Sequence, residues 1–159
     1  MKVVAVPMFP AVLLATALLS SGNLVIIDLA VEPAAAKARP IPFDAGAVRA
    51  AIAYQLAQVG VPVAGGQGAT RLIVRVTYWD PGNGIGLAQT ARMTANYKLR
   101  AADGRESETM SASCEAKAAM SLTTTPGDRT RLAWTRCLAE FSTNIAIGLV
   151  GGSETVVVR

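Results

Sequence analysis

Residues 89–101 read QTARMTANYKLRA, and this stretch has the strictest alternation of apolar and polar side chains in the chain. Because successive side chains of a β-strand point to opposite faces, it predicts a strand with one buried and one solvated face. The two predicted sets are Ala91, Met93, Ala95, Tyr97 and Leu99 on the buried face, and Arg92, Thr94, Asn96, Lys98 and Arg100 on the solvated face.

Two flanking segments repeat this pattern. Residues 71–78 precede the turn sequence DPGNG at 80–84, and the stretch 106–117 follows the turn pair Asp103-Gly104, so the three strands form an antiparallel meander. The predicted buried positions are Leu72, Val74, Val76 and Tyr78 in the first strand and Met110, Ala112, Cys114 and Ala116 in the third, with Ser107, Thr109, Ser111, Ser113, Glu115 and Lys117 pointing outward.

The segments before and after this meander in the sequence supply one more strand and two helices. Residues 24–31, LVIIDLAV, predict a strand, and Pro33, Pro40 and Pro42 mark the loop after it. A first helix is predicted from an Asp44 cap to Gly60, with Val48, Ile52, Leu56 and Val59 on one face, and a second from an Asp128 cap to about Leu149, with Trp134, Leu138, Phe141 and Ile145. The prediction is an α+β fold in the order β-α-β-β-β-α, with a four-stranded antiparallel sheet and two helices on one face.

The N-terminal segment indicates export. Lys2, an apolar run over 3–19 and the small residues 20–22 predict a signal peptide over 1–22, although the small residues 34–36 offer a second cleavage position. An uncleaved membrane anchor is the alternative, because a spanning helix needs about 20 apolar residues. We expect a single domain over 23–150 in the periplasm or secreted, and a tail over 151–159 that is an edge strand or a disordered end.

The chain has two cysteines, Cys114 and Cys137. The first is predicted on the buried face of the third strand and the second beside the apolar stripe of the last helix, so a disulfide can join the two layers. Closing this loop would contribute about 3 kcal/mol to stability on the chain-entropy estimate. The alternative is two buried free thiols that pack as small apolar side chains.

The solvated sheet face carries the candidate binding surface. Its basic side chains predict a patch for an anionic polymer or lipid headgroup, including weak contact with a membrane surface. The alternative is a solvated face on which Glu106, Glu108 or Glu115 balance the charge. The turn region with Trp79, Asp80 and Asn83 is a candidate partner loop, although Trp79 fits the edge of the core equally well. The patch residues are Arg71, Arg75, Arg92, Lys98, Arg100 and Lys117.

Composition argues against several classes of function. The chain has no histidine, and the pattern gives its serines and carboxylates neither a base nor a buried environment, so we expect no catalysis, no metal and no cofactor. The net charge of +4 is too small to indicate nucleic-acid binding. The glycine-rich stretch 64–68 lacks the Lys-Ser/Thr pair of a phosphate-binding loop.

Several segments together resemble a known group of proteins. They are the strand 24–31, LAQVGVPV at 56–63, the strand 71–78, YKLRAADG at 97–104 and the helix from Arg131 through Ile145. In this order the chain resembles small envelope proteins and lipoproteins of Gram-negative bacteria of the YajG and LptE type, and related families of unknown function.

This resemblance implies an accessory, non-catalytic role in the cell envelope, with another envelope protein or an anionic envelope component as the partner. Asn23 stands where those lipoproteins carry the acylated cysteine, which argues against outer-membrane anchoring by a lipid. A membrane-anchored envelope protein and a small secreted enzyme remain the alternatives, and the oligomeric state is open.

Overall fold

The structure, a computed structural model, describes residues 25–33, 35, 42–63, 70–82, 88–119, 121 and 125–150. Its elements are β1 (Val25–Val31), α1 (Ala45–Gln58), β2 (Thr70–Asp80), β3 (Ala88–Arg100), β4 (Met110–Ala119) and α2 (Pro126–Val150). The predicted signal peptide and C-terminal tail lie outside the described residues. In the described part, neither helix combines the length and apolar character needed to cross a membrane.

The four strands form one mixed sheet in the order β1-β2-β3-β4. β1 and β2 are parallel, with Val25 opposite Thr70 and Val31 opposite Val76, whereas β2–β3 and β3–β4 are antiparallel. The predicted all-antiparallel sheet is therefore wrong at its first strand. The physical reason is α1, which lies between β1 and β2 in sequence and carries the chain back along the sheet, so that β2 starts at the same end as β1.

β3 alternates as its sequence predicts. Its five apolar residues from Ala91 to Leu99 are at most 3% exposed, while Arg92 and Asn96 are exposed between them and Arg100 is exposed after them. Both neighbouring strands pair with β3 over most of its length. The strand that dominates the sequence pattern is thus also central to the sheet.

A β-bulge near the end of β2 reverses the predicted face of Tyr78 and buries Trp79. The register shifts between Val76, which is opposite Ala95, and Tyr78, which is opposite Thr94, so Thr77 is an extra residue. Tyr78, predicted to be buried, is 43% exposed, and Trp79 is buried instead at 2%. The Trp79 ring makes edge-to-face contacts with Phe43 and Trp134.

The third meander strand starts later than predicted, at Met110 instead of Glu106. The turn before it is tight, with Gly104 at φ +86° and its N–H donating to the carbonyl of Ala101. Ser107, predicted to point outward, is buried, because its Oγ accepts a hydrogen bond from the N–H of Leu99 at 2.9 Å. An irregular stretch between the turn and β4 breaks the period of two.

Both helices are capped by side chains. The Asp44 carboxylate accepts from the N–H of Ala47 and begins α1 as predicted, but the helix stops at Gln58, so Val59 is exposed instead of packed. For α2 the predicted Asp128 cap is displaced by one turn. Thr125 and Asp128 form a reciprocal capping box, in which the Asp128 N–H donates to Thr125 Oγ1 and the Asp128 carboxylate accepts from Thr125.

The core lies between one sheet face and the two helices. Phe141 and Ile145 of α2 are fully buried on β3 and β4, and Ile52 of α1 is buried beside them. Cys114 of β4 and Cys137 of α2 form a disulfide with a Cα–Cα distance of 5.2 Å, as their predicted facing positions imply. The disulfide therefore joins the sheet to the helix layer. Because both helices pack on this face, the described residues leave the opposite sheet face uncovered.

Candidate functional site

The uncovered side of the sheet, which we call the outward face, is formed by the alternate residues of all four strands. It is predominantly polar, with Ile26 and Ile73 as partly buried apolar positions on β1 and β2. Both helices pack on the other side, so nothing in the described part of the chain shields this face from a partner. Its members include Asp28, Arg71, Ile73, Arg75, Arg92, Asn96, Lys98, Arg100, Glu115 and Lys117.

All six predicted basic residues lie on the outward face, but five of them have acidic neighbours. Arg71 donates to Asp28 across the parallel β1–β2 pair at 3.0 Å, and Arg92 donates to Glu115 across β3–β4 at 2.9 Å. Lys117 lies 4.0 Å from the same Glu115. The alternative of a charge-balanced face therefore describes most of the predicted patch.

Glu106, in the turn between β3 and β4, holds the remaining two paired cations. Its two carboxylate oxygens accept from Lys98 Nζ and from the Arg100 guanidinium. These hydrogen bonds, first from Lys98 and then from Arg100, hold the pKa of Glu106 below its usual value. The hydrogen bond and charge of Arg92 likewise lower the pKa of Glu115.

Arg75 differs from the other five cations. Its side chain is exposed, and within the described residues it forms no ion pair. It borders a groove of about 220 Å³ in the outward face and also a shallower depression beside the end of β1. The groove is lined by Glu32, Ile73, Arg75, Asn96, Tyr97, Lys98 and Thr109.

The predicted partner loop is only partly described. Trp79 is buried in the core, so its interpretation as a partner contact is wrong and its assignment to the core is right. Asp80 folds back on the turn, where its carboxylate accepts from the N–H of Gly82 at 3.0 Å. Asn83 lies outside the described residues.

The described residues contain no group of three or more cysteine, aspartate or glutamate side chains arranged to hold a metal ion. The two cysteine sulfurs are joined in the disulfide. The outward face offers hydrogen-bond donors, charges and the groove beside Arg75, which are features of recognition surfaces.

The fold of this chain is similar to those of several solved bacterial proteins. The chain is similar to a minor lipoprotein from Acinetobacter baumannii, with a TM-score of 0.58 and 13% identity over 82% of this chain and 94% of that one. It is also similar to a protein assigned as a lipoprotein from Caulobacter crescentus, with a TM-score of 0.52 and 16% identity over 86% and 92%. A Xanthomonas campestris protein of the family DUF330 gives 0.58 and 14% over 78% and 81%.

These identities establish a shared fold and nothing finer. The chain matches no protein-family model and no curated protein sequence. The α+β architecture predicted from the sequence thus recurs in lipoproteins of Gram-negative bacteria, in agreement with the general resemblance to small envelope proteins. A specific relation to proteins of the YajG or LptE type does not follow from these matches.

Sequence reasoning missed the residue that completes the groove, Glu32. It follows β1 directly, and its N–H donates to the carbonyl of Val76 at 2.9 Å, which continues the parallel pairing by one residue. Its position next to Arg75 depends on β1 being parallel to β2. A β-α-β order in the sequence is the signal from which this arrangement could have been found.

Proposed function

We propose that this chain is a non-catalytic binding or assembly protein of the Gram-negative cell envelope, similar in role to small accessory proteins of the YajG and LptE type. It works in the periplasm, or secreted, after removal of an N-terminal signal peptide. Its partner is another envelope protein or an anionic envelope component. The chain uses no cofactor and carries no catalytic residues.

One observation carries this proposal: the described residues leave one sheet face uncovered, while the other face holds the core, both helices and the disulfide. Sheets with antiparallel strands commonly pack one face on the core and leave the other solvated, and a solvated face can contact a partner. Disulfides persist in oxidising compartments, which supports a location outside the cytoplasm. The fold shared with bacterial lipoproteins supports the envelope in particular.

The test is site-specific photo-cross-linking in a Gram-negative host. A benzophenone amino acid replaces Thr94 or Ser111 on the outward face, and in matched variants Tyr54 or Leu132, which are exposed on the helices. We expect discrete cross-linked products from the two strand positions and none from the helix positions. Equal products from both sets, or products from the helices alone, would contradict a role for the outward face.

Location is tested on the same cells. Fractionation and intact-mass measurement are expected to find a shortened chain in the periplasm or medium, with the disulfide formed. A full-length chain in the membrane fraction would support the membrane-anchored alternative. A full-length reduced chain in the cytosol would contradict the proposal.

A further inference from the structure

We infer that the groove around Arg75 receives a short charged segment of a partner protein, with an acidic side chain at Arg75 and a basic side chain at Glu32. This inference rests on the proposed function, since it specifies the chemistry of the partner that the outward face binds. Arg75 and Glu32 are the two residues shared by the groove and the depression beside the end of β1.

Among the six basic residues of this face, Arg75 is the one that forms no ion pair in the described part of the chain. A carboxylate of a partner would have to displace Glu106 to reach Lys98 or Arg100, and Glu115 to reach Arg92. Arg75 holds no carboxylate in an ion pair in the described part of the chain, and a basic group on the same ligand would offset the negative charge of nearby Glu32. The planar guanidinium can donate two parallel hydrogen bonds to one carboxylate, which is the geometry that gives such pairs their specificity.

The neighbours of Arg75 complete a small polar site. Asn96 lies directly opposite Arg75 in the β2–β3 register, and Ile73 lies opposite Lys98. The Asn96 amide and the Thr109 hydroxyl can both donate to a bound carboxylate, and Ile73 provides an apolar contact for the methylene groups of the entering side chain. One side of the groove is therefore suited to an aspartate or glutamate side chain.

Glu32 provides the negative charge that suits the basic side chain of the partner segment. The groove holds Arg75 and Lys98 against Glu32, and Lys98 is already paired with Glu106, so the local charges balance. A doubly charged phosphate would gain little from such a site, and Glu32 would repel it. A segment with one acidic and one basic side chain complements the charges of both Arg75 and Glu32.

The depression beside β1 provides room for the second side chain. It is lined by Ala30, Val31, Glu32 and Pro33 together with Arg75, so it continues the groove past the end of β1. Because Arg75 and Glu32 line both the groove and the depression, a peptide that crosses the outward face at this point would contact both residues.

The test is an NMR titration of the folded protein with the blocked peptide Ac-Ala-Asp-Arg-Ala-NH₂. We expect amide shifts concentrated at Ile73, Asn96 and Thr109, and Arg75→Gln should weaken binding by about fivefold or more, as loss of a charged hydrogen bond does. The matched control is Arg105→Gln, which removes an exposed arginine that pairs with Asp103 at the turn and should leave binding unchanged. Circular dichroism verifies that both variants fold.

Three further probes distinguish the possible ligands. The neutral peptide Ac-Ala-Asn-Gln-Ala-NH₂, inorganic phosphate and phosphatidylglycerol vesicles should each shift these amides less than the charged peptide does. The inference is overturned by shifts that spread over the whole face, by binding that is insensitive to Arg75→Gln, or by tighter binding of phosphate or vesicles. If cross-links from Thr94 and Ser111 persist while the peptide fails to bind, the inference fails and the proposed function stands. If the cross-links are also absent, both fail.

Discussion

The two faces of the sheet differ in how their side chains interact, although they are built from alternate residues of the same strands. The inner face packs Met93, Tyr97 and Leu99 against the helices and is closed by a disulfide. The outward face is predominantly polar and carries exposed ion pairs, which contribute little to stability. This contrast indicates that the inner face determines whether the chain folds, and that the outward face can change without loss of the fold.

The largest effect on stability is expected from removing a buried side chain that packs on the inner face. Phe141→Ala removes a fully buried ring from α2 and should lower the free energy of unfolding by about 3–5 kcal/mol. The matched change on the solvent side of the same helix is Leu132→Ala, at a residue that is 41% exposed, and it should cost less than about 1 kcal/mol. Urea denaturation gives both values, and similar losses would contradict the contrast.

The disulfide should produce the next largest effect. Replacing Cys114 and Cys137 together by alanine reopens a loop with a sequence separation of 23 and should cost about 3 kcal/mol. The natural chain measured with a reductant is the control and should lose a similar amount. A double variant as stable as the oxidised chain would show that packing alone joins the two layers.

A close contact between β3 and α2 gives a smaller and more specific effect. A Cβ at Gly148 would collide with the hydroxyl oxygen of Tyr97, so Gly148→Ala should destabilise the fold by about 1–3 kcal/mol. In a Tyr97→Phe background the nearest ring carbon is 3.4 Å from that Cβ, and the same change should then cost less than about 1 kcal/mol, since alanine favours helices. A double-mutant cycle measures this coupling, and additive effects would argue against the contact.

The smallest effect is expected on the outward face and depends on pH. The pKa of Glu106 is lowered in the folded state, so its ion pairs stabilise the fold above the ordinary carboxyl range, and this contribution is lost as the pH falls through the lowered value. Glu106→Gln should therefore reduce the dependence of stability on pH below about 4.5, the ordinary value for glutamate. Glu108→Gln, at an exposed residue outside the ion pairs described here, is the control. Equal acid profiles for both variants would contradict the assignment.

The inner face could be predicted well from the sequence because its signal is periodic. The alternation from Ala91 to Leu99 and the stripe through Phe141 and Ile145 depend only on local geometry, and both are confirmed. The largest exception in the sheet is the bulge at Thr77. An extra residue opposite β3 leaves the sequence pattern of β2 intact but exchanges the faces of Tyr78 and Trp79.

The outward face could be predicted only in part, because its chemistry depends on which strands are neighbours. The positions of the six basic residues follow from alternation and are correct. Their partners do not: Asp28 reaches Arg71 because β1 is parallel to β2, and Glu115 reaches Arg92 through the β3–β4 register. Single-strand patterns carry no information about these pairs, so the difference between Arg75 and the other cations became visible only in three dimensions.

The claim that the inner face determines folding and the outward face does not is tested most directly at two adjacent residues of β3. Each of them is replaced by aspartate. Ala95→Asp places a charge in the core, which should abolish folding or lower the free energy of unfolding by several kcal/mol, roughly 3–5 or more, whereas Asn96→Asp on the outward face should change it by less than about 1 kcal/mol. Urea denaturation of the two variants gives the comparison. Losses of similar size at both positions would contradict the account.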